Sequence, residues 1–193
     1  SDWRLDLKNQ IDSFQPELIA ISSTEDMWEL GMHILEEVRD YKTRNDIPVI
    51  AGGVFPTFAP DLALLYPLVD MVCVGEGEHA LIDLCHRIEV GKSFKNVTNL
   101  WVKEKDGSVI KNPVTTPVDI NELPIIDIKL FEDARLYRPM AGRVYRMLPI
   151  ETMRGCPYTC RFCNSPSPTR RTGLHQPRST WHRPWIGPSS SLG

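Results

Sequence analysis

The stretch VDMVCVGEGE, residues 69–78, predicts a buried strand that passes through a glycine-rich loop into a helix. Its first six residues are apolar except for Asp70, and such a short run is typical of a strand covered on both faces in a parallel sheet. The glycines at positions 75 and 77 then end the strand. Apolar residues recur at helical spacing over residues 78–89. The stretch therefore indicates one strand-to-helix step of an α/β protein.

Similar apolar runs precede this stretch, and helical patterns separate them. Residues 17–22 (ELIAIS) and 47–51 (IPVIA) are predicted strands, and apolar spacing predicts helices over 2–14, 27–41 and 61–65. Alternating strands and helices imply right-handed βαβ units. We therefore predict a doubly wound, Rossmann/flavodoxin-like parallel sheet with helices on both faces. Because the pattern opens on a helix, we expect that at least one earlier strand has been lost.

Three loops leave the carboxyl ends of the predicted strands, where open α/β sheets bind their ligands. They are Ser22-Ser23-Thr24, Gly52-Gly53-Val54 and Gly75-Glu76-Gly77. Taken singly, each loop has a structural explanation as a helix cap, a turn or a tight connection. The first also resembles a capping box, with Ser23 three residues before Asp26. Small residues on all three loops together leave room for a bulky, flat ligand above the sheet.

The composition excludes several classes of protein. The chain has 193 residues, a formal net charge of −3 and 41% hydrophobic residues, which fits one globular domain or slightly more. No apolar run reaches the length of a membrane span, and mild acidity argues against a general nucleic-acid binder. Five cysteines, three of them clustered, do not form a secreted disulfide framework, so we expect a cytoplasmic protein. The chain begins with Ser1, and we expect that it starts inside a longer protein.

A hairpin and a connector follow the α/β part. Asp106-Gly107 supplies a two-residue turn within residues 99–112. Prolines 113, 117 and 124 then indicate a largely irregular connector, and residues 143–151 are a candidate first strand of a second domain. The predicted divisions are an α/β domain (1–95), a hairpin and connector (96–142), the start of a second domain (143–167) and a tail (168–193).

Three cysteines lie close together in CPYTCRFC. Cys156, Cys160 and Cys163 have the spacing C-x-x-x-C-x-x-C, and no fourth cysteine is near. A closed zinc site needs four ligands, a disulfide would leave one thiol free, and a nucleophilic cysteine needs a base that is not identifiable here. Three thiolates on an iron–sulfur cluster would leave one iron open for a substrate or cofactor. The residues alone do not decide between these four interpretations.

The motif CPYTCRFC, at the end of a predicted strand, resembles the signature of radical S-adenosylmethionine enzymes. The resemblance implies that Cys156, Cys160 and Cys163 hold a [4Fe–4S] cluster whose open iron binds S-adenosylmethionine. Reductive cleavage would then yield a 5′-deoxyadenosyl radical, with an electron from an external flavodoxin- or ferredoxin-type donor. Phe162 would lie beside the adenine of S-adenosylmethionine, and the second domain would be the start of a (β/α) partial barrel.

The N-terminal half of the chain makes this resemblance more specific. The phrases IAISST, VIAGGVFPTFAP and VDMVCVGEGE, followed by a hairpin and the cysteine motif, are similar to the cobalamin-binding domain fused to many radical enzymes. The resemblance covers most of residues 1–167. It implies that the three loops named above receive cobalamin. Activities in this family include methyl transfer and oxidative ring formation on a small-molecule substrate.

The chain departs from the family pattern in three respects. It lacks the D-x-H-x-x-G motif of a cobalt-ligating histidine, and His33, His79 and His86 lie on predicted helices. It also ends before most of a barrel could form. Residues 168–193 lose acidic residues and periodicity, and we interpret them as a shifted reading frame or cloning artefact, with a disordered basic tail as the alternative.

Two other functions stay open on the sequence. One is a non-catalytic α/β ligand-binding module with a structural metal at the cysteine loop. The other is a methylthiotransferase-like enzyme that modifies nucleic acid, although such enzymes carry extra cluster cysteines in their N-terminal domain. Here only Cys73 and Cys85 are available, and packing explains both.

Overall fold

Three parallel strands form one side of a five-stranded sheet with the order β1-β2-β3-β4-β5. A computed structural model describes residues 2–115, 118–148 and 154. The strands are β1 (Ile19–Ser22), β2 (Val49–Gly52), β3 (Met71–Cys73), β4 (Leu100–Lys103) and β5 (Val109–Lys111). The first two pairings, β1 with β2 and β2 with β3, are parallel. The predicted hairpin, β4 and β5, continues the same sheet in antiparallel fashion.

Six helices accompany this sheet in the described residues. They are α1 (Trp3–Phe14), α2 (Trp28–Glu37), α3 (Arg39–Asn45), α4 (Val54–Phe58), α5 (Pro60–Ala63) and α6 (Glu78–Glu89). The predictions for α1 and α6 are confirmed, and the doubly wound α/β fold is confirmed with them. The α/β domain thus has the predicted alternation of strands and helices.

Two helix predictions need correction. The single helix predicted over residues 27–41 is two helices, because Val38 leaves the helical region with φ −108° and ψ 6°. The short helix predicted over residues 61–65 is α5, which ends at Ala63 and is preceded by the unpredicted α4. Apolar spacing alone did not reveal the break at Val38, since the buried side chains keep helical spacing across it.

The core consists of two layers, one on each face of the sheet. Alternate residues of a strand point to opposite faces. Val49, Ala51 and Val72 accordingly belong to the layer under α2, which also holds Trp28 and Leu35. The opposite layer contains Ile50, Met71, Cys73, Ala80, Leu84, Val97, Leu100 and Val102. Because both faces are covered, the parallel strands read as continuous apolar runs in the sequence.

Polar contacts close the amino end of the parallel strands. The Asp70 carboxylate accepts the Val49 N–H at 2.7 Å and lies 2.8 Å from the Lys42 Nζ atom. Lys103 donates from Nζ to the carbonyl oxygens of Leu64 at 3.0 Å and Tyr66 at 2.9 Å. These bonds connect the loop before β3 to its neighbours at the edge opposite the three candidate loops.

The described residues 118–148 belong to a second compact unit. It contains 3₁₀ turns at Ile128–Leu130 and Asp133–Leu136 and an antiparallel ribbon of β6 (Tyr137–Met140) and β7 (Arg143–Arg146). The strand predicted over residues 143–151 is therefore observed only as β7, and its partner was not predicted. Residues 149–153 lie outside the described part, and the predicted domain boundaries stay predictions. Within the described residues, no helix combines the length and apolar character needed to cross a membrane.

Candidate site at the carboxyl edge of the parallel strands

The first two candidate loops are joined through their backbones. Ser22 and Gly52 are partners in the parallel ladder between β1 and β2. Beyond the strands, the Ser23 N–H donates to the Gly52 carbonyl oxygen at 3.0 Å, and the Phe55 N–H donates to the Ser23 carbonyl oxygen at 3.3 Å. The two loops therefore leave the sheet as one hydrogen-bonded unit.

Gly53 allows this close approach. Its φ is +95°, and a Cβ atom built on it would lie 2.7 Å from the Ser23 carbonyl oxygen, 2.8 Å from the Ser23 nitrogen and 2.9 Å from Ser22 Oγ. Two of these atoms belong to the backbone and do not move aside like the end of a flexible side chain. Any other residue at position 53 would therefore be strained by conformation and by contact.

The third loop is held by two side chains that the sequence analysis did not select. The Gly75 N–H donates to Thr57 Oγ1 at 3.2 Å. Asn99 donates from Nδ2 to the Glu76 carbonyl oxygen at 2.8 Å. Thr57 lies on α4 and Asn99 directly precedes β4, so both neighbouring elements fix the loop.

A buried thiol lies beneath the second and third loops. A Cβ on Gly52 would lie 3.8 Å from Cys73 Cβ, and one on Gly77 would lie 3.6 Å from Cys73 Sγ. Cys73 also donates its thiol to the Glu76 carbonyl oxygen at 3.8 Å. Burial raises the pKa of Cys73 to about 11, and the negative charge of Glu78 adds to this effect. The thiol is therefore neutral near pH 7, which agrees with the packing role predicted for Cys73. The packing role predicted for Cys85 is wrong, because Cys85 is exposed on α6.

The hydroxyl groups of the first loop make local contacts. Ser23 is buried and donates from Oγ to the Thr24 carbonyl oxygen at 2.8 Å, while Thr24 donates from Oγ1 to the Asp26 carboxylate. The predicted capping box is wrong, because α2 begins only at Trp28 and its N-cap, Met27, makes no side-chain capping bond. The polar groups instead stabilise a turn ahead of the helix.

Exposed apolar side chains adjoin the second and third loops. Val54 follows Gly53 and is 54% exposed. Val114 Cγ1 would lie 3.4 Å from a Cβ on Gly75, and Leu81 Cδ1 would lie 3.6 Å from one on Gly77. Both side chains are themselves exposed. Apolar groups beside glycine-lined backbone make a surface suited to the face of a large, flat molecule.

The three candidate loops contain no histidine. His33, His79 and His86 are exposed on helices, as the sequence indicated. In the part of the chain that the structure describes, no group of three or more His, Cys, Asp or Glu side chains could hold a metal ion. Cys156, Cys160, Cys163 and Phe162 lie outside the described residues, so their predicted roles stay predictions.

Comparison with known families identifies the class of protein to which this α/β domain belongs. Residues 4–84 match the family described as the B12 binding domain. The match includes all three candidate loops. The chain therefore carries a B12-binding domain, as predicted.

Comparison with known proteins extends this relationship beyond the domain. The chain is 27% identical over 165 residues to an uncharacterized methyltransferase of Pyrococcus horikoshii, covering 83% of this chain and 34% of that protein. It is also 27% identical over 166 residues to the anaerobic magnesium-protoporphyrin IX monomethyl ester cyclase of Rubrivivax gelatinosus, covering 82% of this chain and 28% of the cyclase. The chain thus spans about a third or less of these relatives.

Solved structures show the same fold. The cobalamin-dependent S-adenosylmethionine radical enzyme OxsB, with aqua-cobalamin and S-adenosylmethionine bound, superimposes with a TM-score of 0.64 at 28% identity, covering 82% of this chain and 21% of OxsB. The radical S-adenosylmethionine methyltransferase TsrM of Kitasatospora setae shares the fold at 20% identity, with a TM-score of 0.62 over 91% of this chain and 35% of TsrM. The chain is thus related over most of its length to cobalamin-dependent radical S-adenosylmethionine enzymes.

Proposed function

We propose that the carboxyl edge of β1–β3 binds cobalamin and that this chain is part of a radical S-adenosylmethionine enzyme. The observation that carries the proposal is the glycine-lined edge. Gly53 lets the first two loops pack backbone to backbone, and the third loop is fixed beside them. The match of residues 4–84 to the B12 binding domain supports the nature of the ligand.

The loops have separate roles in this proposal. Gly53 lets the first two loops pack backbone to backbone, and Val54, Leu81 and Val114 offer apolar contacts to the corrin ring. When bound, cobalamin supplies a cobalt centre that can carry a methyl group. In this proposal the protein binds the ring through the shape of the loops and these apolar contacts.

The cysteine motif has the second role in the proposal. Cys156, Cys160 and Cys163 hold a [4Fe–4S] cluster with one iron left for S-adenosylmethionine, and Phe162 lies against the adenine. The three-thiolate spacing and the relationship to OxsB support this assignment. The reaction is methyl transfer or oxidative cyclisation of a small-molecule substrate, with electrons from a flavodoxin- or ferredoxin-type protein.

Titration of the full chain with hydroxocobalamin tests the first role. The visible spectrum should change saturably as the corrinoid binds. Val54→Asp should weaken binding by about tenfold or more, because a short carboxylate beside the corrin would lose water without a partner. Leu65→Asp is the matched control, since Leu65 is 75% exposed and lies next to Leu64 and Tyr66, whose carbonyl groups bind Lys103 at the opposite edge. Absence of binding, or equal weakening by both substitutions, would contradict the proposal.

Anaerobic reconstitution with iron and sulfide tests the second role. The wild-type chain should gain about four irons and the broad visible absorption of a [4Fe–4S] cluster. Cys160→Ala should abolish this cluster, whereas Cys85→Ala should retain it, because Cys85 is an exposed helical residue. Stoichiometric zinc binding without cluster formation would favour the alternative of a structural metal site.

A further inference from the structure

Asn99 occupies an unusual position next to the third loop. It is only 5% exposed and adopts φ +67°, a left-handed conformation that Asn tolerates better than most residues. Its backbone carbonyl accepts the Val74 N–H at 2.8 Å, and its own N–H donates to the Pro113 carbonyl oxygen at 3.0 Å. The backbone of Asn99 therefore joins the end of β3 to the segment that follows β5.

The side chain of Asn99 also joins the loop after β3 to the segment after β5. Its Nδ2 donates to the Glu76 carbonyl oxygen at 2.8 Å, and its Oδ1 accepts the Thr115 N–H at 2.7 Å and the Thr115 hydroxyl at 3.1 Å. A buried amide with its donor and acceptor both used in this way has a defined orientation. One residue thus fixes both the third loop and the first residues of the connector.

Thr57 holds the same loop from the other side. Its Oγ1 accepts the Gly75 N–H at 3.2 Å, and Thr57 lies on α4, directly beyond the Gly53 turn. Gly75 itself has φ +88°, and no strand ladder pairs its neighbours Glu76 and Gly77. Thr57 and Asn99 therefore hold the third loop from two different elements, in addition to the contact of the Cys73 thiol with the Glu76 carbonyl oxygen.

We propose that Asn99 and Thr57 are positioning residues that hold the third loop in the conformation that receives the corrinoid. They act through Gly75 and Glu76, and this inference rests on the proposed cobalamin site. Loss of a single bond lowers the population of the competent loop, and the apparent affinity falls with that population. Asn99→Asp should raise the Kd for hydroxocobalamin by about five- to tenfold, and Thr57→Val by a similar or smaller factor.

The Asn99→Asp substitution separates the two side-chain functions of Asn99. Aspartate tolerates the left-handed conformation and keeps an acceptor for Thr115, but it has no donor for the Glu76 carbonyl oxygen. Asn112→Asp is the matched control. Asn112 also donates from Nδ2 to backbone carbonyl oxygens, at 2.9 Å to Lys95 and 2.7 Å to Leu100, and these acceptors lie outside the third loop.

Two measurements on the full-length variants decide the inference. Hydrogen exchange of the amides of residues 75–77 in the free protein should accelerate in Asn99→Asp and Thr57→Val but not in Asn112→Asp, and the titrations should give the same order of Kd values. Unchanged exchange and unchanged affinity in Asn99→Asp would overturn the inference. If the wild-type chain binds no cobalamin, the proposed function fails, and the exchange measurement alone still shows whether Asn99 and Thr57 hold the loop.

Discussion

The carbonyl oxygen of Ser23 lies 2.7 Å from the point where a Cβ atom on Gly53 would stand. This distance links the first two loops of the site, because the backbone of one fills the space that a side chain on the other would need. The same carbonyl accepts the Phe55 N–H, so the contact is part of the start of α4. The shape of the proposed cobalamin site therefore depends on a glycine for packing as well as for conformation.

Substitution of Gly53 by alanine should destabilise the fold strongly. Gly53→Ala combines a positive φ with backbone contacts under 3 Å, and we expect a loss of about 2–4 kcal/mol in the free energy of unfolding. Gly107→Ala is the control, since Gly107 has φ +85° but nothing within 4 Å of an added Cβ. It should cost only about 1 kcal/mol. Urea unfolding followed by circular dichroism measures both, and equal losses would show that the contact with Ser23 is unimportant.

The two described cysteines should differ in reactivity. Cys73 is buried with a pKa raised to about 11, whereas Cys85 is exposed on α6. Since the thiolate is the reactive form, iodoacetamide at pH 8 should modify Cys85 in the native protein long before Cys73. Peptide mapping by mass spectrometry gives both rates, and urea-unfolded protein is the control in which the two should react alike. Fast native labelling of Cys73 would contradict the described burial.

The same thiol predicts a loss of stability at alkaline pH. Between the ordinary pKa of 9.0 and the folded value of about 11, the unfolded chain has released the proton that the folded chain keeps. The free energy of unfolding should therefore fall as the pH rises through this window and should be insensitive to the thiol below pH 9. Comparison of wild type with Cys73→Ala by urea unfolding at pH 8 and 10 isolates the effect. A difference between the two proteins that is independent of pH would contradict it.

Lys103 should show the opposite dependence. Burial lowers its pKa, and Lys42 contributes in the same direction while the carboxylate of Asp70 opposes both. Below the ordinary pKa of 10.5 the unfolded chain then binds more protons than the folded chain, so the contribution of Lys103 to the free energy of unfolding should increase as the pH rises towards 10.5. Urea unfolding of wild type and Lys103→Met at pH 7.5 and 10 provides the comparison. A wild-type advantage that shrinks over this interval would contradict the prediction.

Local sequence patterns predicted most of the α/β architecture. The apolar runs at 17–22, 47–51 and 69–74 indicated strands covered on both faces; β1 and β3 lie within the first and third runs, and β2 extends one residue beyond the second, to Gly52. The three loops could be chosen because the carboxyl ends of parallel strands share one edge of a sheet. The division of the helix at Val38 was missed, since its buried side chain preserves the helical period.

The sequence alone could not predict which residues form hydrogen bonds with the third loop. Thr57 and Asn99 contact Gly75 and Glu76 across 18 and 23 positions of the chain. No periodicity marks them, because a hydrogen bond between distant residues leaves no local pattern. Asn99 would have been suggested only by its preference for the left-handed conformation, and that conformation is visible only in the folded chain.

The sequence by itself determined the alternation of strands and helices, the identity of the three loops and the spacing of the three cysteines, because each is encoded by neighbouring residues. Only the tertiary structure decided that Gly53 must lack a side chain, that the hairpin extends the same sheet, and that Thr57 and Asn99 hold the third loop. These features depend on distances between segments that are remote in the chain. Such distances exist only after burial of the two core layers has brought the segments together.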